Sequence, residues 1–351
     1  MKNVCRLAVA FMSCLGATAQ TTGYTVTNIV TNTNTGVGTD ANLVNPWGLA
    51  RPSSSHIGEN EWWASDNATG LSTLYYVNRG GDKNDAALTV TIPPATGTGP
   101  GSPTGVAFEP TSHDFAFVTL DGTIQNWVAS QKPASPGTGC YKCHVSTATI
   151  MVTNAAASYQ GLTIAKNATS GAQTYYVANN NGGVEAYDAT SFSPVTLPPG
   201  AFTDKTIPNT YAPAGIQAIG KDIYVTYNAI AGGGTGYVDA FNTNGKLKFR
   251  LPTDWLNQPW GIALAPANFG QDGNAVLVGN TGSGWIGAYD AATGSFLNLL
   301  SDSSGNPITI PGLWGLEFGD GNAESGPTNV LYFNAGGGSY NTGVFGAIIA
   351  N

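Results

Sequence analysis

One glycine-centred pattern recurs six times along this chain, and its spacing leaves few architectures open. It reads NPWGLARP from position 45, SPTGVAFEP from 102, SYQGLTIAK from 158, APAGIQAIG from 212, QPWGIALAP from 258 and GLWGLEFGD from 312. The aligned glycines are Gly48, Gly105, Gly161, Gly215, Gly261 and Gly315, separated by 57, 56, 54, 46 and 54 residues. A period of that length is the signature of a repeat fold whose units cannot bury their own faces.

The segments after the glycines define the unit. HDFAFVTLDGTIQNW, QTYYVANNNGGVEAYD and NAVLVGNTGSGWIGAYD alternate apolar and polar residues on both sides of a Gly/Asn/Asp turn, the pattern of a β-hairpin. GKLKFRL and GSFLNLL then supply an outer strand. Four strands, six times, predict an all-β fold: a single six-bladed β-propeller with blade starts near 45, 102, 158, 212, 258 and 312. YTVTNIV precedes the first repeat, and the last repeat ends at GVFGAIIA without an outer strand. The N-terminal strand is therefore expected to close the last blade.

Residues 1–19 read as a signal peptide: Lys2 and Arg6, an apolar stretch, and a small-residue cleavage site ending at Ala19. The alternative, a lipoprotein signal with Cys14 as lipid acceptor, fits the flanking Phe11 and Met12 poorly. The propeller is then residues 20–351, secreted or periplasmic, with no transmembrane segment expected. With 13 basic and 21 acidic residues and a net charge of -8, and no run of Lys or Arg, no nucleic-acid surface is expected.

The ordered motifs NPWGLA, PTGVAF, DGTIQNW, YQGLTIA, GAFTD, GYVDAF, QPWGIALAPANFG, GLWGLEFG, LVGN and VLYFNAGG resemble a family of exported, functionally uncharacterised bacterial and fungal proteins. The resemblance spans nearly the whole mature chain. It implies a propeller distantly similar in pattern to NHL-type and gluconolactonase-like proteins, and it implies no activity. The departure is VASQKPASPGTGCYKCHVS, a loop carrying Cys140 and Cys143.

Loops leading into the innermost strands and those within the central hairpins are expected on one face. They bring Asn45, Trp47, Asp66, Asn67, Asp121, Asn179, Asn180, Asn228, Trp260, Asn280, Trp314 and Asn334 there, with Tyr159 and Gln258 beside them. Carboxamides among aromatics suit a small polar ligand, a glycan or a protein partner, and a hard cation such as calcium is the further candidate. The competing account is that Asn and Asp are what tight turns favour. A metal-assisted lactonase or hydrolase would need carboxylates at that face; Asp66, Asp121 and Asp320 are the candidates, while Glu109, Glu185 and Glu317 read as strand residues. A non-enzymatic binding module is the leading expectation.

Cys140, Cys143 and His144 match the attachment motif of c-type haem, which would make the chain an electron carrier. Met151 and His113 are the distant candidates for a second iron ligand. A Cys140–Cys143 loop disulfide is the simpler reading in an exported chain, and a redox or metal role is the third.

Overall fold

The computed structural model describes residues 23–52, 60–77, 88–129 and 145–351. Residues 1–19, expected to be a signal peptide, and Cys140, Cys143 and His144 lie outside the described residues, so the haem and disulfide readings have no structural account.

Two N-terminal strands, β1 (Tyr24–Thr31) and β2 (Gly38–Thr39), precede the repeats. Blade I is β3 (Pro46–Ala50), β4 (Trp62–Asp66), β5 (Leu71–Tyr75) and β6 (Thr89–Thr91). Blade II is β7 (Pro103–Phe108), β8 (Phe115–Thr119), β9 (Thr123–Trp127) and β10 (Thr149–Thr153). Blade III is β11 (Tyr159–Lys166), β12 (Gln173–Asn179) and β13 (Gly183–Asp188). Blade IV is β14 (Tyr211–Ile219), β15 (Asp222–Ala229), β16 (Gly236–Asn242) and β17 (Leu247–Arg250). Blade V is β18 (Pro259–Leu264), β19 (Ala275–Asn280), β20 (Ile286–Asp290) and β21 (Phe296–Leu299). Blade VI adds β22 (Leu313–Phe318), β23 (Val330–Ala335) and β24 (Val344–Ala350) to the N-terminal strands.

The blades are antiparallel sheets, apart from β2, which pairs parallel with β1 at the edge of blade VI, and the six form a propeller ring with almost no helix. The ring closes as the repeats require. β1 pairs antiparallel with β24 from Tyr24↔Ala350 to Thr31↔Val344, and so becomes the missing strand of blade VI. Blade III departs from the pattern: the place of its fourth strand is taken by a single bridge between Tyr187 and Pro194.

The inner strands carry the repeat glycines, and the reason is contact between backbones. A methyl group on Gly48 would lie 2.5 Å from the Thr104 carbonyl oxygen in the next blade, and one on Gly315 would lie 2.7 Å from the Trp47 carbonyl oxygen across the closure. The same close approach repeats at Gly105, Gly161, Gly215 and Gly261. The pairing register slips at this point of every inner strand, as between Pro46 and Leu49 or Pro259 and Ile262. These bulges bend the strands around the axis.

The apolar core divides into one cluster per blade interface. Trp63, Leu74, Val106 and Phe117 fill the space between blades I and II, and Trp62, Tyr75, Tyr332 and Phe345 that between VI and I. Adjacent residues of one strand point to opposite faces, so the pair Trp62–Trp63 serves two interfaces, as does Tyr175–Tyr176. Second strands such as β8 and β19 are buried along their whole length, whereas the outer β10 alternates toward solvent.

Candidate functional site

The axis of the ring is blocked by side chains. Trp47, Trp260 and Trp314 each precede a repeat glycine and point into the centre together with Ala214. Trp47 stacks on Trp314 with ring centroids 3.8 Å apart, and Trp260 meets both edge-on at 6.2 and 5.7 Å. The equivalent positions of blades II, III and IV are Thr104, Gln160 and Ala214, so three large side chains are accommodated by smaller ones opposite. The indoles divide the channel into two mouths.

The front mouth, at the start of the inner strands, is a cavity of about 360 Å³ lined by Asn45, Trp47, Gln160, Asn180, Asn228, Ala229, Ile230, Gly232, Gln258, Thr281, Trp314 and Tyr340. No Asp, Glu, Lys, Arg or His is among them. The Trp314 indole donates to Asn45 Oδ1 at 3.1 Å, and the Trp260 indole to the Gln160 carbonyl at 3.2 Å. The Trp47 indole N–H and Asn228 Oδ1 are both buried without a hydrogen-bond partner. Asn45, Gln258 and Tyr340 all hold left-handed backbone conformations, with φ of 49°, 52° and 55°. Residues other than glycine adopt these at a cost, and such strain gathers at ligand sites.

Of the twelve residues expected at this face, Asn45, Trp47, Asn180, Asn228 and Trp314 line the mouth. Trp260 lies beneath them in the indole plug. The other six do not line it. Asn179 Oδ1 accepts from the Ser158 N–H at 3.0 Å, and Asn280 Oδ1 from the Asn257 N–H at 2.8 Å, each tying a hairpin to the loop before its own inner strand. Asn67 and Asn334 donate to carbonyls of the next blade, at Pro103 (3.2 Å) and Gly48 (2.8 Å); Asn180 does the same to Pro213 (3.3 Å). Gln160, Thr281 and Tyr340 complete the lining beyond the expected residues. Gln160 had a signal, since it stands in the repeat position that carries Trp47. Tyr159, one residue earlier, is fully buried and hydrogen-bonds Glu185 and Tyr187.

The carboxylates do not converge as a lactonase-like centre requires. Asp66 is fully buried on β4, and Asp121 accepts from the Ala95 N–H and the Thr119 hydroxyl. Asp320 comes just after β22 and belongs to the opposite face. Among the described residues no group of three or more His, Cys, Asp or Glu is placed to hold a metal ion. Met151 stands on the exposed outer strand β10, and His113 is an exposed residue of the β7–β8 turn.

The rear mouth holds two ionisable residues, Arg51 and the strand residue Glu317. It is a cavity of about 300 Å³ at the far ends of the inner strands, with Arg51, Glu317, Thr163, Gln173 and Gln217 in its wall. Glu317 lies 3.7 Å from Arg51, whose guanidinium also faces Asp320 at 3.4 Å and donates to the Phe318 carbonyl at 2.8 Å. Burial outweighs the guanidinium and pushes the Glu317 carboxyl up to about 7. Its position at the end of an inner strand, where alternation turns it inward, is the signal that could have found it.

No known family profile matches the chain. The chain is similar to two uncharacterised proteins of Acanthamoeba polyphaga mimivirus. R648 is 29% identical over 314 residues, covering 84% of this chain and 74% of its own length. L690 is 27% identical over 343 residues, covering 90% and 84%. These relatives are viral and lend no support to a bacterial or fungal family. Among solved structures, the PQQ-bound aldose sugar dehydrogenase of Streptomyces coelicolor superposes with a TM-score of 0.56 at 11% identity, covering 94% of this chain and 98% of that one. A protein of unknown function from Bacteroides thetaiotaomicron gives 0.57 at 10% identity, covering 94% and 76%. At such identities the likeness is one of fold.

Proposed function

We propose that the chain is an exported, non-catalytic binding module whose front mouth takes a small uncharged hydroxylated molecule, a saccharide or the end of a glycan. One observation carries this reading: the mouth holds a buried donor, the Trp47 indole N–H, and a buried acceptor, Asn228 Oδ1, neither with a partner. A polar group in that state costs free energy until something pairs with it. A hydroxyl donates and accepts, so a polyol answers both. The exposed ring of Tyr340 suits the apolar face of a sugar ring, and the uncharged lining disfavours an ionic ligand.

Tryptophan fluorescence and calorimetric titration with a panel of neutral mono- and disaccharides test the proposal. A saccharide that binds should lose about tenfold in affinity in Trp47→Phe and in Asn228→Ala, the scale of one neutral hydrogen bond. If no member of the panel binds, or if both variants bind unchanged, the reading is wrong. Export is checked separately by the intact mass of protein recovered outside the cytoplasm, which should begin after Ala19.

A further inference from the structure

Four of the chain's thirteen basic residues meet in one groove, although no two of them lie closer than two positions in sequence. Lys166 ends β11, Lys221 sits in the β14–β15 turn, and Lys246 and Lys248 flank the start of β17. Together they line a cleft of about 1220 Å³ between blades III and IV, with Asp222 its sole carboxylate. Lys248 is paired with Asp222 at 2.6 Å. Lys166, Lys221 and Lys246 are exposed and make no ion pair among the described residues. The groove thus carries a local charge of about three positive units on a chain whose net charge is -8.

Its floor is rigid. The Ala168 N–H donates to the Thr243 hydroxyl at 2.9 Å, the Tyr176 hydroxyl to the Thr243 carbonyl at 2.8 Å, and the Thr169 hydroxyl to Asn244 Oδ1 at 3.1 Å. These bonds lock the β11–β12 turn of blade III to the β16–β17 turn of blade IV, so the lysines are mounted on a fixed frame.

The lining selects among anionic partners. Among the described residues the lining exposes no aromatic ring on which a base could stack, the Tyr176 ring being buried, which disfavours single-stranded nucleic acid. Ile164 and Leu247 are its only large apolar side chains, too few to anchor a peptide through buried hot-spot residues. Its volume exceeds the roughly 300–1,000 Å³ of a site for a single small molecule. We infer that the groove between blades III and IV binds a linear acidic polysaccharide, with sugar carboxylates against Lys166, Lys221 and Lys246.

Polygalacturonate is the probe, with its fully methyl-esterified form, polyglutamate and single-stranded DNA as comparators, measured by calorimetry at low and at moderate salt. Polygalacturonate should bind, weaken with salt, and lose at least about tenfold in affinity in Lys166→Glu/Lys221→Glu/Lys246→Glu, while the ester does not bind. The exposed positions should leave Tm unchanged; the milder Lys166→Gln/Lys221→Gln/Lys246→Gln serves if charge reversal unfolds the chain. Trp47→Phe should bind polygalacturonate normally, which separates this groove from the front mouth. The inference is overturned if polygalacturonate does not bind, if neither triple variant changes its affinity, or if polyglutamate or DNA binds as tightly.

Discussion

Single positions around the axis bear consequences out of proportion to their size. Gly48 has the Thr104 carbonyl oxygen where a methyl group would sit, and the contact is backbone against backbone, so no side-chain rotation relieves it. Gly48→Ala should therefore lose about 1–3 kcal/mol in denaturant unfolding, the range for overpacking. Glu317 offers a pH readout. Its carboxyl is raised from 4.5 to about 7, so its contribution to stability is fully present below pH 4.5 and is lost as pH rises through 7. Glu317→Gln should be more stable than the native chain at pH 8 by about 1 kcal/mol, after discounting for partial exposure, and the difference should vanish near pH 4. A gap independent of pH in thermal melts would remove the carboxyl as its cause. The tryptophans show where residue type was legible: NPWG, QPWG and GLWG place an aromatic before the glycine in three blades, but only ring closure brings the three indoles together to plug the axis.

Among elements, β1 is the one that closes the ring. Beyond its ladder with β24, the Tyr24 N–H donates to the Ser301 carbonyl at 2.9 Å, and the Tyr24 hydroxyl donates to Asp272 at 2.6 Å. Burial and the Asp272 carboxylate drive the Tyr24 phenol well above its ordinary range, so it remains a donor across accessible pH. Tyr24→Phe should cost about 1.5–3 kcal/mol, a buried hydrogen bond to a charged group, measured by chemical denaturation. Removing β1 altogether should expose β24 as an edge and produce association, visible in light scattering. The closing strand was legible because a strand without a repeat and a repeat without an outer strand must find each other. Blade III's missing outer strand was not legible, because SFSPVTLPP has apolar residues at strand-like spacing and only its prolines argue otherwise.

At the scale of the whole molecule, six cores lie between blades and none within one. Each apolar cluster draws on two neighbouring blades, so a blade removed leaves both neighbours uncovered. Thermal unfolding should accordingly be a single transition by both near- and far-ultraviolet circular dichroism, and a chain truncated before β22 should not fold; separate transitions by the two probes would contradict this. The period of the glycines, the alternation of the hairpins and the unmatched terminal strand determined the six-bladed ring from sequence alone, because those signals are local and repeat in register with the chain. The sites were decided by tertiary structure. Asn and Asp recur at hairpin ends for the same backbone reason, so sequence could not tell Asn228, with its buried amide oxygen unpaired, from Asn280, whose amide is used within its own blade. Nor could it gather Lys166, Lys221 and Lys246 into a groove. Sequence separation carries no information about which loops of neighbouring blades face each other until the ring is closed.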